Sequence, residues 1–172
     1  MKRIAISAAA LLALCACASE PAKTEAIKTA THTQLNDCAI LELTPGREAT
    51  GAYTRITHTG APVDIVKAEV PSLSQRVELH SMEMKDNVMT MVELKDVTLK
   101  EGERVFKRGA DHVMLFDLKG ETVVGSTHTM TLHFSDGTQA SCQATVKSMK
   151  EILEQGERQI EKEKAMQQHQ HN

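Results

Sequence analysis

Short alternating runs of apolar and polar residues, separated by turn residues, fill the chain from Cys38 to Val146. Because side chains on a β-strand point alternately to two faces, such runs are typical of strands that are buried on one side. Breaks such as Pro45-Gly46 and Ser135-Asp136-Gly137 favour turns between them. The pattern predicts an all-β fold of the β-sandwich class. Its nine strands cover residues 38–44, 49–59, 63–70, 76–84, 88–94, 103–107, 112–118, 126–134 and 138–146.

The interior of such a sandwich must be built largely without aromatic side chains. The 172 residues include three Phe, one Tyr and no Trp, so Val, Ile, Leu and Met have to fill the core. The length suits one domain with tails. A formal net charge of −3 argues against a nucleic-acid partner, because it provides no basic footprint.

The first residues have the composition of an export signal. Lys2 and Arg3 precede an apolar stretch over residues 4–14, which is too short to span a membrane. Leu14, Ala16 and Cys17 resemble a bacterial lipobox. We therefore expect removal of residues 1–16, lipidation of Cys17 and anchoring on the periplasmic side of a bacterial membrane. The alternative is an ordinary secretory signal cleaved near Ala18.

Export places the remaining cysteines in an oxidising compartment. Cys38 lies in the first predicted strand and Cys142 in the last. A single pair of cysteines in such a compartment predicts a disulfide, and the alternative is two buried free thiols. The polar residues 17–36 are predicted to be a linker that leads to a domain over residues 37–147.

The C-terminal residues 148–172 form a charged extension. Apolar residues near helical spacing, in a stripe that Gly156 interrupts, predict a partly helical, largely solvated segment. The extension ends in a short tail with three metal-binding residue types, Met166, His169 and His171.

Soft metal-binding side chains are concentrated between His80 and Met114, where five of the nine methionines lie. A two-residue turn at Asp86-Asn87 would pair Met84 with Met89 and Met82 with Met91. Cross-strand partners share a face, as do residues two apart on one strand. One face of this hairpin then carries His80, Met82, Met84, Met89 and Met91. The opposite face, which we expect to enter the core, carries Val77, Leu79, Val88 and Val92.

His112 and Met114 form a second pair on one face of another strand, with Val113 and Leu115 pointing inward. Imidazole and thioether donors without a cysteine suit Cu(I), whereas Zn(II) favours His with Cys or carboxylate ligands. The alternative is that the methionines are flexible core fillers. The segment His128-Thr129-Met130 has the same spacing, and we interpret it as strand packing.

The spacing of these donors resembles that of the periplasmic copper chaperones that supply the binuclear Cu-A centre of cytochrome c oxidase. Ten residues separate His80 from Met91, as in that family. Twenty residues then precede His112-Val113-Met114, where the family has twenty-one. The difference is explained most simply by a loop deletion around Lys100-Glu101-Gly102. The resemblance covers residues 37–147 and includes AYTRITHTGAPVDIVKAEV, VELH, GADHVMLFDL and LHFSDG.

The resemblance implies a cupredoxin-like, Greek-key β-sandwich that binds one Cu(I) through His80, Met91, His112 and Met114. It implies delivery of the ion to the Cu-A subunit of cytochrome c oxidase or to another copper chaperone. The family pattern does not include Met82, Met84 and Met89, which would form a secondary relay or cover the site. The tail residues Met166, His169 and His171 are further candidates, and their imidazoles would suit Cu(II).

Two other functions remain open from the residues. One is a copper-resistance or storage lipoprotein that binds several copper ions. The other is a sandwich module for adhesion or assembly in which the methionines only pack. An enzyme is not expected, because the sequence shows no nucleophile signature, phosphate loop or recognisable carboxylate dyad.

Overall fold

A computed structural model describes residues 28–29 and 32–169. Cys17, His171 and the predicted export signal lie outside the described residues. That part of the chain contains eleven strands and one helix. They are β1 (Lys28–Thr29), β2 (Thr33–Leu41), β3 (Thr50–His58), β4 (Val63–Glu69), β5 (Arg76–Lys85), β6 (Val88–Glu93), β7 (Val97–Leu99), β8 (Gly102–Phe106), β9 (His112–Phe116), β10 (Thr127–Phe134), β11 (Thr138–Lys147) and α1 (Met149–His169).

The strands follow the order β6-β5-β9-β3-β2-β11-β10-β4-β7, with β1 on β11 and β8 on β3. Neighbours are antiparallel except at β2–β11 and β1–β11. The two halves of this order enclose one core, because Ile65 of β4 and Leu132 of β10 belong to the same buried cluster as Ile56 of β3 and Val113 of β9. The all-β sandwich predicted from the sequence is therefore confirmed.

Aliphatic residues and methionine fill most of this core, as the shortage of aromatics predicts. Met130, Leu132 and Leu115 have no solvent exposure, and Phe106 is one of few aromatic contributors. Burying each such side chain stabilises the fold by roughly 1.5–3 kcal/mol. The core thus fixes which face of β9 and β10 points inward.

The predicted disulfide is present. Cys38 of β2 and Cys142 of β11 are bonded, and the bond closes a loop across 104 residues of sequence. Cys38 lies at an irregularity of the β2–β3 ladder between Asn36 and Ala39, where Asp37 has a φ of 52°. The bridge joins the start of the sandwich to its end, which restricts the unfolded chain.

Three strands differ from the prediction. β1 pairs with β11 although it lies in the stretch expected to be a linker, where no strand was predicted. β2 begins at Thr33, inside the stretch expected to be a linker, because buried Thr33 hydrogen-bonds to His58 at 2.8 Å and the ladder with β3 continues across polar residues. β7 was not predicted, since three residues are too few to show alternation. Only Lys100 and Glu101 join β7 to β8, and Gly102 has a φ of 119° there, which fits the short loop inferred from the spacing.

The predicted helical extension is confirmed as α1, which is continuous through Gly156; apart from Ile152, Gln155 and Gln159, its described side chains are exposed or partly exposed. Ser148 and Glu151 cap its first turn: the Ser148 N–H donates to the Glu151 carboxylate at 2.8 Å. Ile152 is buried against Tyr53, and Gln155 donates to the Asp37 carbonyl at 2.7 Å. The helix therefore lies against the outer face of β2 and β3. In the part of the chain that the structure covers, no helix is long and apolar enough to cross a membrane.

Candidate metal centre

The β5–β6 hairpin has the register that the sequence predicts. Asp86 and Asn87 have φ values of 49° and 62°, as a two-residue turn with both residues in the left-handed region requires. Met84 pairs with Met89 and Met82 pairs with Met91. His80 lies opposite Glu93, one diagonal step from Met91. The hairpin thus presents its histidine and methionines on one face.

Strand β9 lies on the other side of β5 and completes the arrangement. His112 is the direct cross-strand partner of His80, and Met114 is the partner of Glu78. The two imidazole ring centroids are 6.1 Å apart and the rings are inclined by 45°. Directly paired residues share a sheet face, so His80, Met91, His112 and Met114 project from the same side of three adjacent strands.

His112 is almost completely buried, at 6% exposure. Its Nδ1 lies 2.7 Å from the Ala110 carbonyl, which only accepts hydrogen bonds, so Nδ1 carries the proton and Nε2 keeps a free lone pair. Burial is the main cause of a lowered pKa for His112 and outweighs the hydrogen bond to Ala110, which acts in the opposite direction. The neutral, metal-binding form of His112 is therefore favoured at neutral pH.

His80 shows the complementary arrangement. Its Nε2 donates to the Glu78 carboxylate at 2.9 Å, and its Nδ1 is buried without a hydrogen-bond partner among the described residues. The hydrogen bonds to His80 and Arg76 lower the pKa of Glu78, which keeps this acceptor ionised. A buried nitrogen without a partner is uncommon, and a carboxylate behind the other nitrogen is typical of metal-binding histidines. The donor set thus fits a metal ion between His80 and His112.

Two aromatic rings enclose the histidine pair. Phe116 lies 5.8 Å from the His80 ring and Tyr53 lies 6.5 Å from the His112 ring, measured between centroids. The Arg76 guanidinium covers Phe116 at 4.3 Å. Sequence reasoning missed Glu78, Phe116 and Tyr53. Glu78 and Phe116 could have been found from the sequence, because each lies two residues from a candidate ligand on the same strand and so shares its face. Tyr53 could not, because its strand is distant in sequence from the candidate ligands.

The methionines of the hairpin are not core residues. Met91 is 46% exposed, Met89 48% and Met84 65%, while Met82 and Met114 are half-buried. Val88, which we expected in the core, is 62% exposed, so that prediction was wrong. The hairpin extends past the edge of the sandwich, where neither of its faces meets the core. Val77 and Val92 are only partly buried, whereas Leu79 does enter the core.

The remaining candidates lie elsewhere. Met166 and His169 belong to the last turns of α1, and the structure does not describe His171. Within the described ranges, no group of three His, Cys, Asp or Glu residues could hold a metal. Met91 and Met114, on the same sheet face, are the further soft donors beside the histidine pair.

Residues 29–146 match the model of the LpqE-like lipoprotein family. The chain belongs to this family. The Lxx21020 protein of Leifsonia xyli subsp. xyli, which is also named as a lipoprotein, is 30% identical over 104 residues. That match covers 59% of this chain and 63% of the relative, so the chain spans less than two thirds of its length.

Solved structures with this fold include copper-binding domains. The chain is 31% identical to DR1885 from Deinococcus radiodurans, solved as its CuI form, with a TM-score of 0.53 and coverage of 69% of this chain and 80% of that one. The copper-bound PCuAC domain from PmoF2 has a TM-score of 0.55 at 16% identity, covering 66% and 91%. The apo PCuAC domain from PmoF1 has 0.54 at 19%, covering 66% and 92%. The likeness to DR1885 bears out the resemblance to the copper chaperone family, and the two PCuAC domains, at 16% and 19% identity, show the shared fold alone.

Proposed function

We propose that this LpqE-like protein is a copper carrier that binds one Cu(I) through His80, Met91, His112 and Met114. The histidine pair carries the proposal. Each imidazole has one nitrogen held by a protein acceptor, and the other nitrogen of His80 is buried without a partner. Both side chains share a face with Met91 and Met114 on adjacent strands.

The donor chemistry favours Cu(I) over other ions. Thioethers are soft ligands and bind without losing a proton, and neutral imidazole is also a ligand for copper. Burial lowers the pKa of His112, which reduces the competition between protons and the metal at this ligand. A hard cation would need carboxylate or carbonyl oxygens instead, so the thioether ligands favour a soft ion such as Cu(I).

Exposure of Met91 supports a carrier over a packing role. If the methionines served only to fill the core of an adhesion or assembly module, Met91 would be buried, whereas nearly half of its surface is open to solvent. An accessible ligand allows a recipient protein to compete for the ion. The bound copper is cargo in this proposal, and no catalytic step is assigned to the chain.

The lipoprotein family and the N-terminal sequence support a place of action at a membrane. We infer export, lipidation at Cys17 and anchoring on the periplasmic side of a bacterial membrane. A recipient close to that membrane, such as the Cu-A subunit of cytochrome c oxidase or another copper chaperone, would take up the ion. Storage of several ions is the second candidate, favoured by the exposed hairpin methionines.

The test is anaerobic Cu(I) titration of the purified protein against a competing chelator. The His80→Ala/His112→Ala variant should lose the tight site, because both imidazole ligands are removed. His128→Ala is the matched control, since His128 also precedes a methionine by two residues, and it should bind as the wild type does. Unchanged affinity in the double variant would overturn the assignment.

A further inference from the structure

Three methionines remain at the tip of the β5–β6 hairpin once Met91 is assigned to the first site. Met84 and Met89 are direct cross-strand partners, and Met82 lies two residues before Met84 on the same strand and face. Met84 and Met89 are among the most exposed large apolar side chains of the described chain. Exposed apolar groups clustered in one place indicate a binding function.

Packing does not account for these side chains. On the opposite face of the hairpin tip, Glu83, Lys85 and Val88 are also exposed, so this part of the hairpin covers no core. Met84 and Met89 could be replaced by shorter polar residues at little cost to the sandwich, because their side chains are exposed. Their shared chemical property at this position is the thioether sulfur.

We propose that Met82, Met84 and Met89 form a second Cu(I) site, made of three thioethers, at the tip of the hairpin. Directly opposite residues on one face have Cβ atoms about 4.5–5.5 Å apart, and diagonal neighbours lie within about 7–8 Å. The three rotatable bonds of methionine allow sulfur atoms to converge across such distances. Cu(I) accepts an all-thioether ligand set, which hard cations and Zn(II) do not favour.

This inference deepens the proposed function and rests on it for the identity of the ion. Met82 is the direct partner of Met91, a ligand of the first site, so the two sites are adjacent on one sheet face. An ion at the hairpin tip would be more accessible than one between His80 and His112. The second site is therefore the weaker of the two and is the place where copper enters or leaves.

The experiment measures the number of Cu(I) ions bound per chain in anaerobic titrations of the full protein. The wild type should bind two ions, the second at least about tenfold more weakly because no imidazole contributes. The Met82→Leu/Met84→Leu/Met89→Leu variant should bind one ion with the tight affinity unchanged. Leucine preserves volume and apolar character, so the fold should be retained.

A matched control separates the hairpin from the C-terminal tail. The Met166→Leu/His169→Ala/His171→Ala variant should still bind two ions. If that variant binds one ion and the hairpin variant binds two, the second site belongs to the tail and the inference is wrong. A wild type that binds a single ion also overturns it, while leaving the proposed carrier function intact.

Methionine methyl NMR signals provide a second readout that does not depend on affinity. The second equivalent of Cu(I) should shift the methyl signals of Met82, Met84 and Met89, and the first should shift those of Met91 and Met114. In the His80→Ala/His112→Ala variant the hairpin signals should still shift. Hairpin signals that never move would exclude the second site, whereas Met91 and Met114 signals that never move would contradict the first.

Discussion

Strands β9 and β10 each carry a histidine and a methionine two residues apart, but the methionine of β9 points away from the core and that of β10 points into it. On β9, His112 and Met114 lie on the outer face beside His80, and Val113 and Leu115 enter the core. On β10, Met130 is completely buried in the core. The same spacing therefore produces a candidate metal ligand pair in one place and core packing in the other.

The hydrogen-bond partners of His128 and His112 also differ. His128 has hydroxyl partners on both ring nitrogens, Ser72 at 2.9 Å and Ser126 at 3.2 Å. Among the described residues, His112 has a hydrogen-bond partner on Nδ1 and none on Nε2. A histidine with both nitrogens occupied has no lone pair left for a metal, so hydrogen bonding separates the two segments independently of the methionines.

The positions of the neighbouring apolar residues along each strand explain why Met114 points outward and Met130 points inward. Val113 and Leu115 have the opposite strand parity to His112 and Met114, whereas Leu132 and Phe134 have the same parity as Met130. On each strand, the face that carries these neighbouring apolar residues enters the core. His112 and Met114 therefore point away from the core, whereas Met130 points into it. A His-x-Met spacing therefore predicts a metal-binding pair only when the neighbouring apolar residues place it on the face opposite the core.

The largest expected effect is on stability. Met130→Ala should destabilise the fold by about 2–5 kcal/mol, because it leaves a cavity in the core. Met114→Ala should cost less than about 1.5 kcal/mol, since Met114 is half-buried and water can refill the space. Urea unfolding of the two variants without copper measures the difference. Equal losses would show that the two methionines do not differ in environment.

Copper affinity should show the reverse order. Met114→Leu removes a thioether ligand at nearly constant volume and should weaken Cu(I) binding by about 10–100-fold, as for other losses around metal centres. Met130→Leu should leave the affinity unchanged. Competition titrations at equal protein concentration compare the two. A loss of affinity in Met130→Leu alone would invert the assignment of the segments.

A smaller effect on affinity is expected from the carboxylate behind His80. Glu78→Gln keeps the shape but removes the charge that orients the imidazole, and should weaken Cu(I) binding by about tenfold. Ser126→Ala, which frees one nitrogen of His128, is the control. It should create no copper site, because Met130 remains in the core. A gain of copper binding in Ser126→Ala would show that hydrogen bonding alone distinguishes the histidines.

The smallest effect is on the pH dependence of stability. The pKa of His112 is lowered in the folded protein, mainly by burial, so the unfolded chain takes up this proton first. The copper-free fold should therefore lose stability as pH falls from about 6.5, the unfolded value, through the folded pKa of His112. His112→Gln should flatten this part of the profile. An NMR titration midpoint for His112 above 6.5 would contradict the sign.

The candidate ligands were largely readable from local sequence. Strand alternation has a period of two residues, so a run such as residues 88–94 reveals its two faces without knowledge of its neighbours. The Asp86-Asn87 turn then determined the pairing of Met84 with Met89. The same local reasoning failed for Val88. Alternation along a strand predicts which residues share a face, but it does not predict whether that face packs against the core.

The sequence by itself determined the β-sandwich class, the cysteine pair, the hairpin register and the outward phase of His112 and Met114. Only the tertiary structure decided that β9 pairs with β5 and places His112 beside His80, and that Glu78, Phe116 and Tyr53 surround the pair. It also decided that α1 packs on the sheet through Ile152 and Gln155. Alternation and turns act over a few residues, whereas strand order depends on which distant surfaces bury each other best.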